Sequence, residues 1–382
     1  MVVLGNLFKG DKYLWFTVGL LMLFSLLAVY SSTGTLAYKY QSGNTEYYLF
    51  KHLIILVFGL VLMFVIHRVK YTFFARASKV AIVVAIPLLF LTLLMGTSLN
   101  EASRWLTVPI INLSFQTSDL AKLALLLFVA RALSKKQENI KDFKSAFLPI
   151  MTVVLITCVL ILPANLSTAA VLFMTCTVLM VIGRINSKYI ALMFGAGLVL
   201  LALFIGISKL SNYDGRISTW EKRIETFLDE DGMGSYQSQQ AKIAIASGSV
   251  FGKGPGNSTQ RNFLPHPYSD FIYAIIVEEY GLFGGVLVVI LYLILFYRAI
   301  LIARNNPRAF ATFLSIGCAF SLTFQAMINM AVAVNLFPVT GQPLPMLSMG
   351  GTSIWFTSIA IGIILSVSRE TEKKGGLKPV HA

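Results

Sequence analysis

The chain has 382 residues, of which 56% are hydrophobic and only 13% are charged, and its mean hydropathy is +0.75. Soluble domains carry roughly 25% charged residues, so the composition excludes an ordinary soluble protein and predicts an all-α polytopic membrane protein. Lysine and arginine outnumber aspartate and glutamate by 31 to 17. In a membrane protein such an excess is typical of cytoplasmic loops and does not indicate nucleic-acid binding.

Ten apolar runs are long enough to cross a bilayer as helices. They cover residues 14–32, 50–67, 78–96, 119–134, 146–163, 165–183, 187–207, 270–297, 309–335 and 350–368. The fifth and sixth runs are separated only by "LPAN", so their division into two helices is open. An even number of spans places both termini on one side. Assigning them to the cytoplasm puts most of the cations in inner segments, as the positive-inside bias requires.

The segments between and beyond these runs complete a single predicted membrane domain, residues 1–382. The first run lacks a small-residue cleavage site, so we interpret it as a retained helix in the cytoplasmic membrane. Residues 208–266 form one large extracytoplasmic loop. Its first half has helical spacing, with Trp220, Ile224, Phe227 and Leu228 on one face, and its second half is rich in Gly, Ser, Gln and Asn. Residues 370–382 are predicted to form a cytoplasmic tail.

The stretch "PHPYSDFIYAIIVEEYG" places Asp270, Glu278 and Glu279 among apolar residues at the start of the eighth run. A carboxylate in hydrocarbon costs at least about 2.5 kcal/mol, so each of these acids is expected to have a structural or functional role that offsets this cost. Asp270 has two possible roles. Either Asp270 or Ser269 could be the N-cap of the helix, or Asp270 could accept a proton from a substrate hydroxyl at the outer membrane boundary.

Glu278 follows eight residues later, about 12 Å deeper along an ideal helix and on nearly the same face as Asp270. This separation is too wide for a glycosidase carboxylate pair, which requires about 5 to 9.5 Å. Glu278 is therefore expected to lie in a polar cavity or to pair with a cation of another helix. Glu279 points away from Asp270, and a structural role is open for both glutamates.

Two further charged positions come from the first half of the chain. In "TSDLAK", Asp119 and Lys122 are three residues apart and share a helix face. They could form a self-contained ion pair, or Lys122 could reach into a cavity and meet an anionic substrate. Arg104 lies beside Trp105 in the outer segment "SRWLTV". It could face the cavity, but an arginine beside a tryptophan is equally typical of an interfacial anchor.

Two glycine-bearing segments are also candidates. "GKGPGNS" (252–258) follows no strand, so it is not a nucleotide-binding fingerprint, but Lys253 and free backbone N–H groups could contact a phosphate. "FPVTGQPLPMLSMGGTS" (337–353) is irregular backbone at membrane depth. Such backbone is tolerated only where protein or water covers it, so we expect this segment to line the same cavity as Asp270.

Together, "PHPYSDFIYAIIVEEYGLFGG", "FPVTGQPLPMLSMGGTS", "SRWLTV", "TSDLAK" and "GKGPGNS" resemble the SEDS family (shape, elongation, division and sporulation), and its cell-division members most. The resemblance covers nearly the whole chain. It implies a peptidoglycan glycosyltransferase that polymerises lipid II at the outer face of the cytoplasmic membrane during septal wall synthesis, with an essential aspartate at Asp270. It also implies that Arg104, Asp119 and Lys122 line the cavity. The implied partners are a class B penicillin-binding protein (a single-span transpeptidase) and other divisome membrane proteins.

The chain departs from the family pattern at several positions. Thr117 and Asp119 stand where the family usually has Pro and Glu, and Ser114 replaces a common basic residue. "PANLSTA", with Asn165 and Ser167, stands where "PDLGTA" is common. These differences concern Asp119 and the sixth helix, and they leave Asp270 unchanged.

The chemistry of lipid II accounts for the acid at the membrane boundary. Inverting transfer needs a base for the acceptor's 4-hydroxyl, which Asp270 would supply, and positive charge for the departing diphosphate. The candidate substrate-binding residues are Arg104, Asp119, Lys122, Lys253, Arg261 and Glu278. A divalent cation could share the task, although no motif indicates one. A flippase for a lipid-linked precursor is the alternative, but such sites lie near the midplane. A non-catalytic scaffold would not explain charges inside helices.

Overall fold

The computed structural model describes residues 9–95, 97–99, 102–108, 113–210, 220, 223–227 and 236–373. These residues form twelve α-helices and three strands, besides a helical stretch at 220 and 223–227 and short 3-10 and π turns. In chain order they are α1 (Lys12–Ser32), α2 (Gly34–Tyr40), α3 (Thr45–Arg68), α4 (Tyr71–Met95), β1 (Thr97–Leu99), β2 (Ala102–Val108), β3 (Leu113–Gln116), α5 (Thr117–Lys135), α6 (Leu148–Ile161), α7 (Leu166–Ile182), α8 (Ser187–Leu210), α9 (Tyr236–Gly248), α10 (Ile272–Arg304), α11 (Ala309–Ala333) and α12 (Thr352–Lys373).

Ten of the described helices coincide with the ten predicted apolar runs, which confirms the predicted fold class. Eight are long and apolar enough to cross a membrane. The other two are α7, which has 17 residues, and α5, which carries Asp119, Lys122 and Arg131. The "LPAN" segment separates two helices, because the Asn165 side chain accepts a hydrogen bond from the Thr168 N–H at 3.2 Å and caps α7.

Three parts of the chain differ from expectation. Residues 97–116, expected as loop, contain an antiparallel sheet in which Trp105 pairs with Gln116 and Val108 with Leu113. The β-branched and aromatic residues of this stretch favour such pairing. The second half of the large loop contains helix α9, whose buried face carries small residues such as Ala241 and Ala244. Helix α12 continues to Lys373, so residues 370–373 of the predicted cytoplasmic tail are helical, and the tail itself stays a prediction. Leu228 and residues 374–382 lie outside the described residues.

The chain divides into two compact units. The Asp270 unit comprises Met1–Val65, Glu221–Arg298 and Leu322–Ile359. The Lys122 unit comprises Ile66–Trp220, Ala299–Ser321 and Ala360–Ala382. The predicted single domain stays a prediction. Within the Lys122 unit, helices α5, α6 and α7 and the π-helical turn before α6 bury large apolar side chains that form its core, among them Leu125, Leu133, Phe147, Ile150, Ile161 and Leu172.

Helix α10 of the Asp270 unit is broken at Gly281, where φ is 68° and ψ is −167°. Its 33 residues would span about 50 Å if continuous, more than the roughly 30 Å hydrocarbon core. Every residue from 271 to 279 is buried, whereas Leu282, Phe283 and Ile290 beyond the break are exposed. The two glutamates therefore lie in a segment enclosed by protein, and the apolar surface suited to lipid begins after it.

Candidate active site

Asp270 lies in the turn that precedes α10. The first carbonyl acceptor of the helix is that of Phe271, which accepts from the Ala274 N–H at 3.0 Å. Phe271 rather than Asp270 therefore occupies the N-cap position, and the N-cap interpretation of Asp270 is wrong. The Ser269 hydroxyl donates to Asp270 Oδ1 at 3.0 Å, and Asn329 Nδ2 donates to the Asp270 carbonyl oxygen at 2.8 Å. Both backbone and carboxylate are thus held in place.

The irregular segment between α11 and α12 packs against this turn. The Met349 N–H donates to the Tyr268 carbonyl at 2.9 Å, and the Ser348 hydroxyl donates to the Ser269 carbonyl at 2.6 Å. Asn329 Nδ2 also donates to the Gln342 carbonyl at 2.7 Å. A Cβ atom added to Gly341 would lie 3.7 Å from Asp270 Oδ2. The segment expected to share a cavity with Asp270 therefore lies beside it, and several of its backbone groups have hydrogen-bond partners in the protein.

The structure identifies Arg223 as a cation on which the charge of Asp270 acts, and the sequence analysis did not single out this residue. Arg223 is half-buried, and its Nη1 donates to the Val339 carbonyl at 3.0 Å. Burial lowers the pKa of Arg223, and the negative charge of Asp270 opposes that shift. Burial raises the pKa of the Tyr268 hydroxyl, and Asp270 raises it further. Asp270 thus has a guanidinium and a phenol within reach of its charge.

Glu278 is completely buried and is surrounded by donors from the loop after α9. Lys253 Nζ lies 2.6 Å from Glu278 Oε1, the Thr259 N–H and hydroxyl donate at 3.1 and 2.9 Å, and the Ser258 hydroxyl also donates. The Gln260 N–H donates at 3.3 Å. A carboxylate with this many donors is stabilised in its charged form. The expectation that Glu278 pairs with a cation is met by Lys253 of this loop rather than by another helix.

Glu279 is bound by a second set of groups. It accepts from the Ser31 hydroxyl and from the Ser258 N–H, the latter at 3.2 Å. Arg261 Nη1 donates to the carbonyl and hydroxyl oxygens of Ser31 at 3.1 and 3.3 Å. Among the described residues, Glu279 Oε2 is buried without a hydrogen-bond partner. Arg261 therefore contacts helix α1, and its predicted role with substrate stays a prediction.

The same loop also supplies hydrogen-bond partners for backbone groups at the break in α10. A helix break leaves carbonyl and N–H groups without their usual partners. The Lys253 N–H donates to the Glu278 carbonyl at 3.0 Å, and the Gly254 N–H donates to the Glu279 carbonyl at 2.9 Å. The Leu282 N–H donates to the Ser249 carbonyl at 3.0 Å. Residues 249–260, which we call the bracing loop, thus pair with both side chains and backbone at the break.

Close approach of backbone to backbone makes this docking possible. A Cβ atom on Gly252 would lie 2.2 Å from the Glu279 carbonyl oxygen, and one on Gly281 would lie 2.2 Å from the Val250 carbonyl oxygen. Both glycines have positive φ. Glycine in the "GKGPGNS" segment therefore allows the loop backbone to approach α10 closely. The sequence of the segment alone does not reveal this role.

The Lys122 unit holds the remaining candidates. Lys122 Nζ lies 2.7 Å from Asp119 Oδ1, and Asp119 is buried. This geometry meets the expectation of an ion pair on one helix face, whereas contact of Lys122 with substrate stays a prediction. Arg104 lies on strand β2. Among the described residues, no three His, Cys, Asp or Glu side chains are grouped in a way that could hold a metal ion.

The helices and the half-buried polar turn at Asp270 define a class of protein: a multi-pass helical membrane protein with a carboxylate site. The family of cell cycle proteins FtsW, RodA and SpoVE matches residues 11–373. Stage V sporulation protein E of Bacillus subtilis is 34% identical, with 92% of this chain and 93% of that protein covered. The probable peptidoglycan glycosyltransferase FtsW of Trichlorobacter lovleyi is also 34% identical, with 95% and 94% covered. The chain belongs to this family.

A solved structure supports the same fold. A chain of a peptidoglycan synthase complex, whose structure concerns the coordination of polymerization and crosslinking, is 25% identical to this chain. The match covers 95% of this chain and 98% of that chain, and the TM-score is 0.72. The expected family and fold are therefore confirmed.

Proposed function

We propose that this protein is a peptidoglycan glycosyltransferase that polymerises lipid II at the outer face of the cytoplasmic membrane. The observation that carries the proposal is Asp270, a carboxylate fixed by Ser269 in a turn before α10 and close to the cation Arg223. The name of the relative from Trichlorobacter supports the same reaction class. Both termini are assigned to the cytoplasm by the cation bias.

In the proposed reaction, Asp270 takes the proton of the acceptor sugar's 4-hydroxyl. The hydroxyl oxygen attacks the anomeric carbon of the donor sugar from the side opposite its diphosphate. A new glycosidic C–O bond forms while the bond to the diphosphate breaks. Undecaprenyl diphosphate leaves with the electron pair of that bond, and the acceptor proton remains on Asp270 until solvent removes it. This balance needs no oxidant or further reactant.

Negative charge develops on the departing diphosphate, so a cation near the reaction centre would lower the barrier. Arg223 is the candidate that the structure adds. Its charge is close enough to interact with Asp270, and its contact with Val339 orients the side chain. Lys253, by contrast, is bound to Glu278, which leaves it mainly a structural task in the bracing loop.

We expect Arg223→Gln to lower the initial rate of lipid II polymerisation by at least about tenfold, equivalent to about 1.4 kcal/mol of barrier. Glutamine retains a donor for the Val339 carbonyl but lacks the charge. The matched control is Lys242→Gln, which removes an exposed cation from α9 of the same large loop. Equal rates for the two variants would show that Arg223 does not act on the leaving group.

Lys122 is the second candidate source of positive charge for the departing diphosphate. We expect Lys122→Met to lower polymerisation by at least about tenfold, and adding Asp119→Asn to leave the rate low. If Lys122 serves only its partner, the double variant should recover, because an absent pair costs less than a lone buried charge. The measurement is the initial rate of each single variant and the double at matched protein levels. Recovery of the wild-type rate by the double variant would remove Lys122 from the proposal.

The proposed partner is a class B penicillin-binding protein, a transpeptidase with one membrane helix, together with other divisome proteins in septal synthesis. The similarity to a synthase complex that couples polymerization to crosslinking supports such a pairing. A polymerase that supplies strands for crosslinking would be stimulated by its bound transpeptidase.

Transport of a lipid-linked precursor is the competing function, since charged residues within membrane helices also serve transporters. Liposomes that carry lipid II only in the leaflet facing the extracytoplasmic side separate the two. A polymerase makes glycan from this pool without moving lipid across the bilayer. Transfer of lipid II between leaflets without polymer, by folded protein bound to its partner, would favour transport.

A further inference from the structure

The Lys122 unit contains a second charged cavity that the glycosyltransferase reaction does not use. The beginning of α4, the end of α5 and the beginning of α11 meet around a space of about 470 Å³. The side chains that define its chemistry are Tyr71, Arg76, Arg131, Lys135, Arg308 and Phe310. The cation bias assigns these helix ends to the cytoplasmic membrane surface.

The cavity is strongly basic. Four of its lining residues are cations, and none is an acid. The ion pairs found among the described residues involve Lys122, Lys253, Arg298 and Arg369. None involves a cavity cation. Four positive charges around one space repel each other, so an anion bound among them would be stabilised.

Backbone and side-chain hydrogen-bond donors add to the positive potential of the cavity. Helices α4 and α11 both begin at the cavity, and the N-terminal N–H groups of a helix attract anions. Arg131 Nη1 donates to the Ser78 hydroxyl at 3.2 Å, which directs the guanidinium. Arg131 Nε is buried and has no hydrogen-bond partner among the described residues. Arg131 lines the cavity, and its planar guanidinium matches the geometry of a phosphate oxyanion.

The apolar surroundings point to a lipid as the source of the phosphate. Tyr71 and Phe310 are buried beside the cations, with ring centroids 6.5 Å apart. Ala75 and Ala309 add further apolar surface to the lining of the cavity. Basic pockets between transmembrane helices at the cytoplasmic surface typically bind anionic headgroups. We propose that this cavity binds the phosphate headgroup of an anionic phospholipid, such as phosphatidylglycerol.

The test compares lipid binding by purified protein in detergent, by native mass spectrometry, with phosphatidylglycerol and phosphatidylcholine of identical acyl chains. We expect wild-type protein to retain phosphatidylglycerol at least about tenfold more tightly, and Arg76→Gln with Arg308→Gln to lose most of this preference. Both side chains are exposed, so the variant should fold. The control, Lys79→Gln with Arg304→Gln, removes two exposed cations outside the cavity and should keep the preference.

Further measurements distinguish lipid binding from binding of a soluble phosphate and from a diffuse effect of charge. Inorganic phosphate at millimolar concentration should not displace the lipid; if it does, the cavity takes a soluble phosphate and the lipid assignment is overturned. Equal loss of preference in the cavity and control variants would show a diffuse charge effect and overturn the site. If the double variant does not fold, the single variants Arg76→Gln and Arg308→Gln are measured instead, and a wild-type preference in both would reject the proposal.

Discussion

Replacement of Gly252 by alanine is expected to destabilise the Asp270 unit by about 4 kcal/mol or more and to abolish activity. The added Cβ atom would lie 2.2 Å from the Glu279 carbonyl oxygen, so loop and helix must separate. Gly252 also has φ of +79°, a conformation that costs alanine about 1 kcal/mol. The clash involves backbone, which has less freedom to move away than a side chain.

Separation at Gly252 has consequences along the bracing loop. The hydrogen bonds from Lys253 N–H to the Glu278 carbonyl and from Gly254 N–H to the Glu279 carbonyl would lengthen. Each buried group left without a partner costs about 1–3 kcal/mol. Loss of the Lys253 ion pair would also leave the Glu278 carboxylate buried without its cation, which is strongly destabilising.

Gly256 provides the matched control. It has the same φ of +79°, but a Cβ atom there would meet nothing within 4 Å. Gly256→Ala should therefore cost only the backbone strain, about 1 kcal/mol. The thermal midpoints of both variants and of wild-type protein, measured in one detergent, test the difference. Equal midpoints for the two variants would mean that the contact with α10 does not contribute to stability.

Asp270→Asn is expected to reduce lipid II polymerisation by at least about a hundredfold, the lower range for loss of a general base. Asparagine has nearly the same size and can still accept a hydrogen bond from the Ser269 hydroxyl. The backbone bond from Asn329 is unchanged. Expression, membrane insertion and thermal midpoint should therefore stay close to wild type, so that the loss reports on chemistry.

Asp142→Asn is the control for this substitution. Asp142 also precedes a helix, and its side chain accepts a hydrogen bond from the Ser145 N–H at 2.8 Å. The Ser145 side chain and then this N–H lower the pKa of the Asp142 carboxyl group. Asparagine can make the same bond, and Asp142 belongs to the Lys122 unit, in a segment that the cation bias predicts to be cytoplasmic. Its polymerisation rate should match wild type. A wild-type rate in Asp270→Asn itself would reject the catalytic assignment.

Features encoded by neighbouring residues were predictable from the sequence. The ten long helices follow from the length of apolar runs, which is a local property. The contact between Asp119 and Lys122 follows from their spacing on one helix. The position of Asp270 before a helix was visible from the prolines ahead of it and the apolar run behind it.

Features that depend on distant partners were not predictable in this way. The apolar composition of α10 continues on both sides of Gly281, and its break is satisfied by Ser249, Lys253 and Gly254 from another segment. Lys253 looked available for a phosphate because its partner, Glu278, lies 25 residues further along the chain. Arg223 was missed because its orientation depends on Val339, which lies 116 residues away.

The central claim is that this chain itself forms glycosidic bonds from lipid II. The most direct measurement is the release of undecaprenyl diphosphate and the growth of glycan by purified protein, bound to its transpeptidase partner, with lipid II as the only substrate. We predict one diphosphate released for each new glycosidic bond, with glycan that a muramidase degrades, and at least about a hundredfold less of both with Asp270→Asn. Equal amounts of polymer from the wild-type and Asp270→Asn complexes, or none from a folded wild-type complex, would contradict the account.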